Sequence, residues 1–261
     1  MGISIHYQLR AASWHKPAEA RAIVEKMRDC VVTILGSRGP KAVSEIVVGG
    51  AARYFGRAFP KARSTNHRWS NRDFRPEVRP HYGSGFTVEV GRDCEPLDLG
   101  LFKYPQEVCS DETGGWPALT EMGKDWQFRG HCKTQYASLH GWENFRRCHC
   151  GVIDILAALN SLGVKVEISD EGDYWPSRSR AALAGLRREV EGMNRVIAAA
   201  AGAMKDAFED DGGVEAPIFA HPQFERLEAE GGSLLAKRGE LMRAVAAATV
   251  APPGIEPGFT V

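Results

Sequence analysis

Arg129, His131, Lys133 and Gln135 recur at every second position. In an extended strand that spacing puts all four side chains on one face. Arginine and lysine complement phosphate or carboxylate oxygens, and histidine transfers protons near neutral pH. A wall that receives an oxyanion would use this set. A second constellation is Ser169-Asp170-Glu171-Gly172-Asp173-Tyr174-Trp175. It follows the alternating run 164–168, so its carboxylates and rings sit where a strand ends. His149, in Arg146-Arg147-Cys148-His149-Cys150, is the third candidate. If the strands carrying the first two sets lie side by side, base, acid and cation converge. Arg129, Gln135 and Lys133 would then hold an anion. His131 or His149 would be the acid or base, Asp170 and Glu171 would orient it or hold a metal, and Tyr174 and Trp175 would stack a ring.

Plainer readings stand beside these. An open sheet face carries polar residues without any catalytic reason. At helical spacing His149 shares a stripe with Phe145, Val152 and Leu156, which is the pattern of a hydrogen-bonded core residue. Acids at a helix start are favoured by the macrodipole. Tyr174 and Trp175 could simply lid the core. Cys148, His149 and Cys150 lack ligand spacing for zinc, so no metal site is assigned and the cofactor stays unknown. The chain has no Gly-x-Gly-x-x-Gly after a strand, no Walker loop, no Gly-x-Ser-x-Gly and no His-Glu-x-x-His. The commonest dinucleotide, nucleoside-triphosphate, serine-hydrolase and zincin classes are thereby disfavoured.

The elements that must position these residues follow from periodicity. Ile3, Ile5 and Tyr7 alternate with polar residues and predict a strand. Pro17 opens a helical pattern through Val31, stopped by Gly36 and Gly39-Pro40. Short strands are expected at 46–48, 86–90, 97–101 and 128–136. Helical spacing runs from Phe145 to Leu159, with Gly163 as its stop, and a strand follows at 164–168. A strand, a helix and a strand in that order predict a crossover. From Leu183 to Met204 apolar residues alternate by three and four, and Leu227, Leu234 and Leu241 recur every seven. These predict a helical hairpin with Leu183, Leu186, Val190, Met193 and Ile197 buried. The expected fold is therefore α+β: a mixed sheet with a strand–helix–strand crossover over residues 1–175, a C-terminal helical hairpin over 176–250, and a flexible tail over 251–261.

Apolar content of 43 % and charged content of 25 % fit a globular chain of 261 residues and exclude a disordered one. Net charge is zero, but it is unevenly spread. Residues 50–83, expected as a long basic loop with one short helix near Ala51–Phe59, carry eight basic side chains against Asp73 and Glu77. Residues 84–125, with an acidic loop at 105–125, carry nine acids against three bases. The two segments either neutralise each other or form a dipolar surface. Tyr54, Phe55, Trp69 and Phe74 interleave with the arginines, so nucleic acid is a possible partner through 50–83. No apolar run reaches the length of a membrane span. The start has no secretory pattern and the six cysteines are scattered, so a cytoplasmic location with reduced thiols is expected.

Gly2-Ile3-Ser4-Ile5-His6-Tyr7, Asp93-Cys94-Glu95-Pro96-Leu97, Lys133-Thr134-Gln135, His149 and the 169–175 motif together resemble a set of uncharacterised bacterial proteins of no known activity. The resemblance covers roughly residues 1–10 and 84–208, in scattered pieces. It implies that Lys133, His149, Asp170 and Glu171 belong to one motif set. It does not extend to the basic segment 50–83, to the cysteines at 148–150 or to the second hairpin helix. The expected function is a pocket that binds or acts on a phosphorylated or nucleotide-like anion, a hydrolase being one form of it. The alternatives are a binding or sequestering module without turnover, and a homodimer built on the hairpin.

Overall fold

The computed structural model describes residues 3–60, 62–64, 75–109, 117–120, 122–207 and 215–250. The chain divides into two compact units, Met1–Leu186 and Arg187–Val261.

The first unit is built on a five-stranded sheet. Strand β1 (Ser4–Ala11) alternates as the sequence predicts, burying Ile5, Tyr7, Leu9 and Ala11. Helix α1 (Pro17–Leu35) starts with proline at its first position, where the missing N–H costs nothing. Its buried stripe Ala20, Val24, Met27 and Val31 repeats every three or four residues. After a short helix α2 (Gly39–Ala42), residues 43–47 bridge the outer edge of β3 (Tyr82–Val88) through Val43↔Val88 and Val47↔Gly85. Helix α3 (Gly49–Phe55) follows. Strand β4 (Leu97–Lys103) pairs with β3. Strand β7 (Trp126–Lys133), helix α4 (Trp142–Leu159) and strand β8 (Lys165–Asp170) complete the unit.

The sheet order is β3-β4-β7-β1-β8, and each neighbouring pair is antiparallel. Strands β7 and β8 therefore run parallel to each other on either side of β1. This is the crossover predicted from the 128–168 pattern. Gly163 ends it in the left-handed region at φ 78°. Helices α1 and α4 pack on one face, where Phe86, Leu97, Leu99, Leu101, Val152, Ile155 and Leu156 form the core. The opposite face of β7, β1 and β8 is open. The α+β class expected from the sequence is the class observed.

The loops expected at 50–83 and 105–125 contain structure. Strand β2 (Ala62–Ser64), from the basic segment, pairs with β6 (Pro117–Thr120), and β6 pairs with β5 (Glu107–Cys109). The oppositely charged segments thus meet in a second, three-stranded sheet. Arg68, Trp69, Arg72 and Phe74 lie outside the described residues, as does the tail expected at 251–261.

In the second unit, helices α5 (Arg180–Ala207, which begins in the first unit) and α6 (Phe224–Val250) form the hairpin. Its buried stripe is Leu186, Val190, Asn194, Ala198 and Ala201. Met193 and Ile197 are only half-buried, Leu183 likewise, and Met204 is 50 % exposed. Leu186 and Val190 are buried as the heptad spacing predicts, but from Asn194 onward the buried positions are Ala198 and Ala201 in place of Met193, Ile197 and Met204. Glycine makes a close approach possible. A Cβ on Gly231 would collide with the Arg195 carbonyl, whereas one on Gly232 would meet open space. Arg195 also pairs with Glu230 at 3.2 Å. We expect Gly231→Ala to cost about 1–3 kcal/mol through overpacking. Gly232→Ala should be stabilising by up to about 1 kcal/mol through a stiffer unfolded chain. Urea denaturation checks both; equal effects would remove the contact as the cause.

Candidate functional site

The register decides which candidate residues meet. His6 lies directly opposite His131 on β7, Ser4 opposite Lys133, and Gln8 opposite Arg129. On the other side of β1, His6 faces Ser169 and Ile5 faces Asp170. Directly opposed residues share a face, so Arg129, His131 and Lys133 stand with His6 on the open face. Asp170 points to the core face. The expected constellation therefore splits in two.

One part is fully withdrawn from water. The side chains of His149 and Asp170 are both 0 % exposed. The His149 ring nitrogen Nε2 lies 3.2 Å from Asp170 Oδ1, and Nδ1 lies 2.9 Å from the Thr134 hydroxyl. Phe145 stacks on the imidazole at 5.3 Å. Asp170 also accepts hydrogen bonds from the amides of Gly172 at 2.9 Å, Tyr174 at 2.9 Å and Trp175 at 3.0 Å. Burial opposes ionisation of this carboxyl. The His149 bond and charge, with the Trp175 and Gly172 amides, outweigh it and hold Asp170 below the ordinary carboxylate range. A hydroxyl, an imidazole and a carboxylate in line can relay a proton. Here, however, Thr134 is itself 0 % exposed, so no substrate reaches the hydroxyl. The assembly ties the end of β7, the middle of α4 and the end of β8 together. His149 and Asp170 are positioned as a core network, not as groups that touch a ligand. Tyr174 and Trp175 pack against the core beside them.

Gln135 does not extend the polar face. Strand β7 ends at Lys133, because Thr134 takes a helical backbone conformation at φ −92° and ψ −12° and its carbonyl accepts from the Ala137 amide at 3.0 Å. A 3₁₀ turn over Gln135–His140 follows, and Gln135 is 7 % exposed.

The other part is on the surface. Glu171 accepts from the Ser4 amide at 2.9 Å and lies 3.4 Å from His6 Nε2. The rings of His6 and His131 are 6.0 Å apart. His131 is 3.9 Å from Glu95, which also accepts from the Lys133 amide at 2.8 Å. The Lys133 ammonium sits over Tyr136 at 5.3 Å.

Beside this row the sheet opens. Only Phe102↔Gln127 pairs β4 with β7, and a cavity of about 500 Å3 occupies the gap. Arg57, Arg129 and His131 bring positive or ionisable groups to it. Tyr54, Phe55, Phe59 and Phe128 supply aromatic walls. Phe55 stacks on Phe102 and Phe128, each at 6.0 Å, and Arg79 covers Tyr54 at 4.8 Å. Arg57 is 3.9 Å from Glu77. The Arg129 guanidinium has no hydrogen-bond or ion-pair partner among the described residues.

Tyr7 reaches the cavity from the core face. It passes under Gly130, whose missing side chain leaves room for the ring, and donates to the Asp98 carbonyl at 2.5 Å. Burial, then the charge of Asp98, pushes the phenol well above its ordinary value. Asp98 also lines the cavity and accepts from Thr87 at 2.7 Å. Burial raises its carboxyl, with the Thr87 bond and the His131 charge opposing. A half-buried carboxyl that keeps its proton to higher pH is suited to acid–base work.

Sequence reasoning missed Tyr7 and Asp98 as candidate residues, and read Tyr54 and Arg57 only as members of the basic, aromatic segment 50–83 and not as partners of Arg129 and His131. Asp98 had a signal, being a lone acid between Leu97, Leu99 and Leu101. The others depend on pairings that no local pattern encodes. Among the described residues no cluster of three or more His, Cys, Asp or Glu is arranged to hold a metal ion, and no helix is long and apolar enough to cross a membrane. No family model, no curated protein and no solved structure matches this chain.

Proposed function

We propose that the cavity between β4 and β7 receives a phosphorylated, nucleotide-like small molecule. The observation that carries this reading is the convergence of Arg57, Arg129 and His131 on one aromatic-walled cavity of about 500 Å3. That volume suits a small-molecule ligand. The arginines bind the oxyanion, Arg129 with no hydrogen-bond or ion-pair partner to displace among the described residues. Tyr54 and Phe59 stack the ring. His131 and Asp98 are the pair able to move a proton to or from the bound phosphoryl group, which makes hydrolysis the favoured reaction.

A second reading is binding without turnover. It is favoured by the withdrawal of His149 and Asp170 from the surface, which leaves His131 without the partners the sequence suggests for it. Titration with ADP distinguishes the outcomes. Wild type should bind saturably. Arg129→Ala and Arg57→Ala should each weaken binding about tenfold, the loss expected for one charge-assisted hydrogen bond. If phosphate is released, His131→Gln should suppress release while leaving affinity within about threefold. Binding without phosphate release selects the sequestering reading. No saturable binding at millimolar ADP rejects both. The dimer and nucleic-acid alternatives remain separate proposals. Val196, Met204, Leu234 and Leu235 are exposed on the hairpin and would supply a dimer contact.

A further inference from the structure

A second cavity of about 450 Å3 lies where residues 17–21, 48–53 and 81–84 meet the start of β7. Among the described residues its charged and ionisable lining groups are Arg21, Arg53 and His81, with no carboxylate. The Arg21 guanidinium is already engaged by Glu25 at 3.0 Å. Arg53 and His81, both exposed, have no side-chain partner among the described residues. Ser84 also lines the cavity although it is 3 % exposed, and its hydroxyl has no hydrogen-bond partner among the described residues. The remaining wall is apolar and aromatic. Trp126, 2 % exposed, forms its floor, with its indole N–H fixed to the His15 carbonyl at 2.9 Å. Tyr82, 60 % exposed, and Val48, 44 % exposed, stand at its rim. The cavity thus sets an apolar, aromatic wall beside Arg53, His81 and the Ser84 hydroxyl, a lining that suits a ligand with an anionic end and a flat apolar body.

From this arrangement we infer a second binding site, for a small organic anion with a flat apolar body, such as an aryl phosphate. Arg53 and His81 hold the oxyanion, the Ser84 hydroxyl donates to it, and the ring lies between Tyr82 and Trp126. Unlike the β4–β7 cavity, this one has among the described residues no carboxyl able to share a proton with a histidine. It binds and does no chemistry. The inference does not depend on the function proposed for the first cavity, because the two share no lining residue.

The test is a titration of the full chain with phenyl phosphate, followed by amide and indole NMR shifts. Saturable shifts are expected at Gly49, Arg53, Tyr82, Gly83 and the Trp126 indole. Phenol, which lacks the charge, should bind at least tenfold more weakly. Arg53→Ala should weaken phenyl phosphate about tenfold, and Arg53→Lys by no more than about threefold. Arg129→Ala, in the other cavity, should leave these shifts and their midpoint unchanged. Arg53 is exposed, and an otherwise superposable spectrum of Arg53→Ala verifies its fold. Absence of saturable shifts at these groups overturns the site, as does an unaltered midpoint in Arg53→Ala. Shifts confined to Gly130 and His131 would likewise assign phenyl phosphate to the first cavity and overturn this one.

Discussion

Replacing Asp170 by Ala is expected to destabilise the chain by roughly 3–5 kcal/mol, the range for removing one partner of a buried pair and leaving the other donors without an acceptor. The His149 imidazole and the amides of Gly172, Tyr174 and Trp175 all donate to this carboxylate. Few of them can turn to water, because the side chains are buried. With total stability usually about 5–15 kcal/mol, such a loss would be a large share of the whole. Asp170→Asn retains one carbonyl acceptor but turns an NH2 toward groups that donate. It should lose less, about 1–3 kcal/mol. The effect has a pH signature. Because the folded chain holds Asp170 below its ordinary value, its contribution is complete above the ordinary carboxylate range and is lost as pH falls through the folded value. Urea denaturation at neutral pH and across the acid limb measures both. Asp170→Asn should be less sensitive to acid than wild type. A change under about 0.5 kcal/mol in Asp170→Ala would show that the loop 171–175 rearranges freely and that the network is not a tie.

Gly130→Ala should produce the second large effect. The added Cβ would fall on the ring and hydroxyl of Tyr7. Tyr7 is 4 % exposed and packed among core residues, so it has little room to retreat. Overpacking of this kind costs about 1–3 kcal/mol. Displacing the ring also breaks the bond to the Asp98 carbonyl and pushes the phenol into the cavity where the ligand is proposed to sit. Stability and ADP affinity should therefore fall together. Shortening the obstacle should reverse part of this: Tyr7→Leu combined with Gly130→Ala should be more stable than Gly130→Ala alone. If the double variant is the less stable, the two residues do not compete for the same space.

Much of the fold is legible because alternation and helical spacing are local. Strand β1, helix α1, helix α4 and strand β8 each carry their own pattern, and Gly163 marks the stop between α4 and β8. The site is less legible because it depends on register. Nothing near His131 says that His6 will lie opposite it, or that Glu171 will face His6 while its neighbour Asp170 faces the core. That one-residue parity divides the candidates between two faces. Gln135 continues the alternation of Arg129, His131 and Lys133 in sequence. Its departure from the strand follows from the helical backbone of Thr134, which opens the 3₁₀ turn and which the alternation of side chains does not encode. The hairpin seam is hard to place for a related reason. Leucine and methionine spacing suggests a heptad, while the close approach is made at Gly231 against the Arg195 backbone and Ala199, small residues that carry little hydrophobic signal.

The borders of the large sheet bear on how the chain behaves at high concentration. Strand β8 ends the described sheet on one side, and its Val166 amide is capped by the Asn160 side chain at 3.2 Å. Lys165 and Glu167 pair across its exposed face at 2.9 Å. On the far side the edge of β3 is covered by residues 43–47, which bridge it at only two points. Charged, capped or very short borders offer a neighbouring molecule few backbone groups to join. Association by strand addition is therefore disfavoured at both ends of this sheet as far as the described residues form it.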